Sequence, residues 1–274
     1  MMELKIADDF APDKIAGSGQ CFRWRESGQG SWKIVHRDQS LTIRELGAGR
    51  YRFSCTEAAF HSLWHPYFDL DEDYRAIRNR VREADDPFLY AACTYGKGIR
   101  ILRQDPWETL VSFIISQNKN IPAIQTCIEM LCTAAGERRT DDRGEVYTSF
   151  PTPEAILNLS EEQLRACKLG YRWRYVRSAA QAVADHSLDL TELLKAREDE
   201  IMERLCSFPG VGIKVASCVS LFGLHHMDAF PVDVWMKRIL KNEYPAGYPL
   251  EQYRPYNGVF QQYMFFYYRD RGRE

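Results

Sequence analysis

Two charged residues stand where helices are about to begin. Lys214 follows the turn Phe208-Pro209-Gly210-Val211-Gly212-Ile213, and Asp233 follows Phe230-Pro231-Val232. A lysine amine is nucleophilic when neutral, and partial desolvation at the positive end of a helix favours the neutral form. Attack by such an amine on the anomeric carbon of a nucleotide would expel the base and leave a Schiff base. An aspartate opening the next helix can cap it. The same carboxylate can stabilise positive charge developing on a sugar, as in glycoside chemistry. Each residue also has a plainer reading: a surface lysine, and an N-cap with no further role.

The turn itself adds a ligand. Glu203 to Phe208 reads as the end of a helix stopped by Pro209, and the next helix starts at about Ile213, giving a hairpin over about 201–222. Gly210 and Gly212 let the backbone turn tightly and approach another surface without a Cβ in the way. The free amides and positive dipole end of the second helix then point outward, and a phosphate is the natural occupant. Such a hairpin holds a nucleic-acid backbone without reading sequence. An ordinary helical turn with a glycine cap fits the same letters.

The elements that must position these groups fall into two kinds. Before about residue 100, short and partly alternating runs (Trp32 to His36, Leu41 to Arg44, Tyr51 to Cys55) are separated by turn residues, which predicts an antiparallel meander. Helical spacing starts near Asp71, with Tyr74, Ile77 and Val81. From Asp105 the pattern is helical to the end. Asp105-Pro106-Trp107-Glu108 supplies a cap, a first-turn proline and an acid. The run Leu110 to Ile115 stops at Gln117-Asn118-Lys119-Asn120, Ser160 opens a capping box with Gln163, Gly170 interrupts before a helix from about Arg172, and a last helix covers about Pro255 to Arg269. The expectation is an α+β chain, with an N-terminal β-rich domain over 1–103 and a helical domain over 104–274.

Composition narrows the class. The 274 residues carry a net charge of −2, with 45% hydrophobic and 27% charged residues, as in ordinary globular proteins. No run approaches the roughly 18 apolar residues of a membrane span, and Met1 to Phe10 holds Glu3, Asp8 and Asp9 but no apolar core run. A secreted or membrane-bound form is not expected. The eight cysteines are scattered, with no Cys-x-x-Cys and none after Cys218, so they read as reduced thiols rather than a zinc ribbon or a C-terminal iron–sulfur cluster. The mild net charge argues against a non-specific nucleic-acid coat, yet Arg165, Lys168, Arg172, Arg174 and Arg177 form an acid-free basic segment. That segment is either a phosphate-facing patch or a solvated helix face.

These residues resemble the helix–hairpin–helix DNA glycosylases (the HhH-GPD superfamily), and more closely their 8-oxoguanine DNA glycosylase/lyase branch. The resemblance covers nearly the whole chain. It rests on Ser18-Gly19-Gln20-Cys21-Phe22-Arg23-Trp24, Ser116-Gln117-Asn118-Lys119-Asn120-Ile121, Leu169-Gly170-Tyr171-Arg172-Trp173-Arg174-Tyr175, Pro209 to Cys218 continuing to Asp233, and the terminal helix with Gln261 and Phe265. It implies a TBP-like antiparallel sheet domain before a helical HhH-GPD domain. It implies Lys214 as nucleophile and Asp233 as catalytic carboxylate. Gly19 matches the glycine whose carbonyl accepts the N7–H that 8-oxoguanine has and guanine lacks. Cys218 and Phe265 match the pair that sandwiches the extruded base, Pro231 lines the same pocket, and Gln261 reads the Watson–Crick edge. Asn118 matches the residue that fills the vacated stack, Tyr171 the duplex wedge, and Arg172 the contact to the estranged base. Backbone amides around Gly210, Gly212 and Val215 are implied to grip phosphates.

Two positions depart from the pattern. Ala123 stands where eukaryotic members carry a second arginine that reads the opposite cytosine, and Trp235 stands where they carry a phosphate-contacting histidine. Weaker discrimination for cytosine opposite the lesion is therefore expected. The function implied is excision of 8-oxoguanine from duplex DNA followed by β-elimination at the abasic site. No redox cofactor or catalytic metal is implied, although relatives hold a monovalent cation on hairpin carbonyls. The partner expected is double-stranded DNA containing 8-oxoguanine, with no membrane partner. The protein is expected to act as a monomer in a prokaryotic cytosol or nucleoid, or in a nucleus if eukaryotic. The alternatives are a glycosylase of the same superfamily for another lesion, and a non-catalytic DNA-binding module.

Overall fold

A computed structural model of the chain describes residues 1–271. Strands β1 (Met2–Lys5), β2 (Trp24–Gly28), β3 (Ser31–His36), β4 (Gln39–Gly47) and β5 (Arg50–Phe53) form an antiparallel sheet in the order β1-β5-β4-β3-β2. Trp32 pairs with Ile43 and Ile34 with Leu41, so Ile34, Leu41, Ile43, Tyr51 and Phe53 are buried with Trp24, Phe60, Trp64 and Phe68. β3, β4 and β5 match the three expected runs. β1 and β2 were not expected: β1 is a four-residue edge strand of alternating exposure, too short to show a pattern in sequence. Helical structure also occurs before Asp71, at Pro12–Gly17 and again from Glu57 behind the Thr56 cap.

The labelled helices are α1 (Pro12–Gly17), α2 (Pro87–Tyr95), α3 (Pro106–Ser116), α4 (Ile121–Ala135), α5 (Trp173–Ala184), α6 (Glu198–Cys206), α7 (Ile213–Phe222), α8 (Val234–Glu243) and α9 (Asn257–Arg271). Their starts follow local chemistry. Asp105 accepts from the Glu108 amide at 3.0 Å to open α3, and Asn120 accepts from the Ala123 amide at 2.9 Å to open α4. The Ser160–Gln163 capping box forms as its letters predict. One feature departs from the expected run of helices: β6 (Arg138–Thr140) and β7 (Val146–Thr148) pair as a two-stranded ribbon. Most of its residues are charged or polar and its Val146 is exposed, so no apolar period announces it. The ribbon is tied to the sheet, where Lys33 donates to Glu145 at 2.6 Å and the Tyr147 hydroxyl to the Asp38 carbonyl at 2.7 Å.

The larger core is helical, centred on Val259, Phe260, Tyr263 and Met264 of α9 and on the buried length of α7 from Val215 to Phe222. Residues of α2, before residue 104, belong to this core and pack against α9. Arg100, fully buried, locks the junction. It donates to the Phe68 carbonyl at 3.0 Å, to the Asp9 carbonyl at 2.8 Å and to the Asp8 carboxylate at 2.9 Å, and lies over the Tyr74 ring. A buried guanidinium needs this full set of acceptors to offset its desolvation. The Arg100 carbonyl also accepts from Gln20 Nε2 at 2.9 Å, which ties the loop after α1, the loop that carries Gly19, to this junction.

Candidate active site

The hairpin forms between α6 and α7. Gly210 takes φ +82°, and a Cβ there would stand 2.2 Å from the Tyr175 ring, so both its conformation and its packing require glycine. Gly212 is the N-cap of α7 and gives no side-chain cap. Helical bonding begins only with the Ala216 amide, which donates to the Gly212 carbonyl at 3.0 Å. The earlier amides of α7 have no intrahelical acceptor and open at the surface beside Ile213, which is 75% exposed.

Lys214, in the first turn of α7, is half-buried and points inward. Its Nζ donates to Ser116 Oγ at 3.4 Å and lies 5.0 Å from the centroid of the Phe113 ring. Ser116 in turn donates to the Phe113 carbonyl at 2.8 Å. One helical turn after Lys214, the buried Cys218 thiol is pushed up by its burial. Lys214, hydrogen-bonded to it, works against that rise, and the Asp233 carboxylate adds to it. Cys218 therefore senses both candidate catalytic groups. Asp233 caps α8, its Oδ1 accepting from the Met236 amide at 2.8 Å, and Pro231 before it is buried. A cap of this kind holds the carboxylate in one orientation.

The candidate base pocket comes from three remote segments. Gly19 has φ +81°, and a Cβ on it would stand 3.4 Å from Phe265 Cε1 and 3.7 Å from Ile121 Cδ1. The Phe265 ring thus lies within contact distance of the Gly19 backbone. Gln261, one turn before Phe265 on α9, is buried, and its Oε1 accepts from Gln262 at 3.1 Å.

The candidate wedge residues also converge. Asn118, at φ +51° in the corner between α3 and α4, donates to the Tyr171 hydroxyl at 3.3 Å. Tyr171 is half exposed and stands edge-on to Tyr175. Arg172 is presented differently from what a contact to an estranged base needs. It is buried, donates to the carbonyls of Leu169 and Gln117, and its guanidinium lies 4.4 Å from the Tyr171 centroid. In the basic segment around it, Arg165 is paired to Glu161 at 2.5 Å and lies over Trp173, while Lys168 and Arg174 stay exposed.

Sequence reasoning missed four residues that shape this site. Ser116 and Phe113 flank the Lys214 amine, and Ile121 walls Gly19. Gln117 donates from Nε2 to the Gly210 carbonyl at 3.0 Å, which ties the α3–α4 corner to the hairpin and occupies one of the hairpin carbonyls. Ser116, Gln117 and Ile121 lie in the Ser116 to Ile121 motif, but only the fold shows what they touch. Among the described residues, no cluster of three or more His, Cys, Asp or Glu side chains could hold a metal ion.

The comparisons with known proteins bear on this geometry directly. Residues 4–110 match the model of the 8-oxoguanine DNA glycosylase N-terminal domain, and residues 111–247 match that of HhH-GPD superfamily base excision DNA repair proteins. The structure of MBOgg1 in complex with a low-affinity DNA ligand superposes with a TM-score of 0.92 at 37% identity, covering 98% of this chain and 96% of that one. This chain belongs to the HhH-GPD superfamily. The Clostridium acetobutylicum 8-oxoguanine glycosylase/lyase, solved with double-stranded DNA containing cytosine opposite 8-oxoG, superposes on this superfamily member at a TM-score of 0.90 and 31% identity, with 99% of each chain covered. The N-glycosylase/DNA lyase of Saccharomyces cerevisiae is 39% identical over 189 residues, which is 65% of this chain and 50% of that protein. The chain thus spans only about half the length of that relative, and 64% of the Arabidopsis thaliana N-glycosylase/DNA lyase. The α+β architecture, with its antiparallel sheet before a helical hairpin-bearing body, is that of the MBOgg1 and Clostridium acetobutylicum structures. Among the described residues no helix is long and apolar enough to cross a membrane.

Proposed function

We propose that this protein extrudes 8-oxoguanine from duplex DNA, cleaves its glycosidic bond and nicks the resulting abasic strand by β-elimination. The observation that carries this reading is the cluster at the head of α7: the Lys214 amine held against Ser116 and the Phe113 ring, and the Asp233 carboxylate fixed by its cap bond, with the Cys218 thiol, pushed up by its burial, lowered by that amine and raised by that carboxylate. An amine, a carboxylate and an apolar wall at one point suit displacement at an anomeric carbon. In the proposed reaction the Lys214 nitrogen bonds to C1′ while the C1′–N9 bond breaks and the base leaves with its electron pair. Asp233, held by its cap bond, stabilises the positive charge on the sugar as that bond breaks. Opening of the sugar gives a Schiff base on Lys214. Loss of a C2′ proton then expels the 3′-phosphate.

Selection of the lesion falls to the pocket. The Gly19 carbonyl accepts the N7–H of 8-oxoguanine. Guanine presents an acceptor at N7, and two facing acceptors without a proton cost about 1–3 kcal/mol when buried. Cys218 and the Phe265 ring sandwich the base beside Pro231, with Gln261 on its Watson–Crick edge. Amides of Gly210, Gly212 and Val215 hold phosphates, Asn118 fills the vacated stack and Tyr171 wedges the duplex. Arg172 reaches the estranged base only by releasing its two carbonyls. The reading includes a monomer acting in the compartment that holds the chromosome, which eight unpaired cysteines, seven of them buried, support.

Borohydride reduction tests the chemistry. The wild-type protein should become covalently trapped on 8-oxoguanine duplex DNA, and Lys214→Gln should trap nothing while still binding. A wild-type protein that shifts the DNA but neither traps nor cuts it is a binding module, and the proposal is then wrong.

A further inference from the structure

The Gly19 loop is held from two sides. On one side the buried Gln20 side chain donates to the Arg100 carbonyl at 2.9 Å and accepts from the Leu102 amide at 2.8 Å. On the other side stands Arg269, in the last turn of α9. Arg269 is 9% exposed and donates from Nη2 to the carbonyl of Gly17, the last residue of α1 and two residues before Gly19. A cation at the carbonyl end of a helix is favourably placed. The same guanidinium lies 5.3 Å from the Phe265 centroid and 5.7 Å from that of Phe266. Residues 265 and 269 are one turn apart, so the stacking ring and the guanidinium share a face of α9.

We infer that Arg269 is a positioning residue that sets the spacing between the Gly19 carbonyl and the Phe265 ring, and so determines how well the pocket recognises its base. The inference rests on the function proposed above. Arg269 acts through the loop and the ring. It joins the Gly17 carbonyl to the Phe265 ring, and it offers that ring a cation to stack on. Without it the loop keeps its Gln20 anchors, so the fold survives while the tie between the loop and α9 is lost. Lysine keeps the charge but not the planar fork or the stack, and should restore the function only in part.

The test separates base recognition from sugar chemistry. Arg269→Met and Arg269→Lys are compared with wild type in single-turnover excision of 8-oxoguanine and in strand cleavage of DNA carrying a preformed abasic site. Excision should fall about tenfold or more in Arg269→Met and less in Arg269→Lys, by analogy with displacing a positioned group from its productive geometry. Abasic-site cleavage, which needs Lys214 but no base pocket, should stay within about twofold of wild type in both. Amide hydrogen exchange at Gly19 and Gln20 should speed up in the variants while α7 stays protected. Equal loss of both activities makes Arg269 a merely structural residue, and unchanged excision with unchanged exchange removes it from the pocket altogether. If Arg269→Met does not fold, Arg269→Lys decides the matter alone by the same split. If the wild-type protein excises nothing, the functional reading falls; the exchange data then decide whether the tie exists.

Discussion

Helices α7 and α8 begin close to the same thiol and begin in opposite ways. α8 is closed by Asp233, whose carboxylate takes the Met236 amide. α7 is left open: its cap position is Gly212, nothing caps its first turn, and a Cβ at Gly212 would meet open space. The open end costs the fold roughly the few tenths of a kcal/mol that separate a glycine cap from an aspartate or serine cap. Nothing in the packing demands that cost, because a side chain would fit. The difference teaches that a helix end can be given either to stability or to a ligand. The α8 end spends its carboxylate on a cap that also orients it, and the α7 end leaves its first amides uncapped, as an anion site would require.

The sharpest way to break this comparison is at Asp233, where cap and charge can be separated. Asparagine caps about as well as aspartate, so Asp233→Asn should leave thermal stability near wild type. It should slow excision about a hundredfold or more, the scale of removing one charge-stabilising group. Asp233→Ala should lose the same activity and, in addition, about 1 kcal/mol of stability. An Asp233→Asn variant with wild-type excision would make Asp233 a cap and nothing else.

The next effect comes from closing the open end. Gly212→Asp should stabilise the protein by about 0.3–1 kcal/mol through capping and the helix dipole. It should weaken duplex binding about tenfold at low salt, and flatten the dependence of affinity on salt by close to one phosphate. Loss of stability, or unchanged DNA affinity, would mean that the α7 end holds no phosphate. The smallest effect concerns the opposite strand, which neither helix end reads. Ala123, where the resemblance implies an arginine that reads that strand, has only a methyl group, and Arg172 is turned inward. Excision rates with cytosine, adenine, guanine or thymine opposite the lesion should therefore span a narrow range. A cytosine preference of a thousandfold or more would contradict this.

The sequence made the closed features legible and hid the assembled ones. Caps at Asp105, Ser160 and Asp233, and the break at Pro209-Gly210, are local, because a few adjacent letters decide them. The contact of Gly19 with Phe265, the bond from Gln117 to the Gly210 carbonyl and the tie from Arg269 to Gly17 join segments far apart in the chain, and no periodicity encodes them. Arg172 shows the limit most clearly. Its letter suggests an exposed cation, and tertiary packing buries it against two carbonyls. The β6–β7 ribbon escaped notice for another reason: its strands are polar and held by charge pairs to the sheet, not by a buried face.

The central claim is that the amine at the open end of α7 does the covalent chemistry. The most direct measurement is peptide mapping of the borohydride-reduced cross-link to 8-oxoguanine DNA. The claim predicts the sugar adduct on the peptide containing Lys214, at Lys214 itself. An adduct on another lysine, or on the amino terminus, would contradict it.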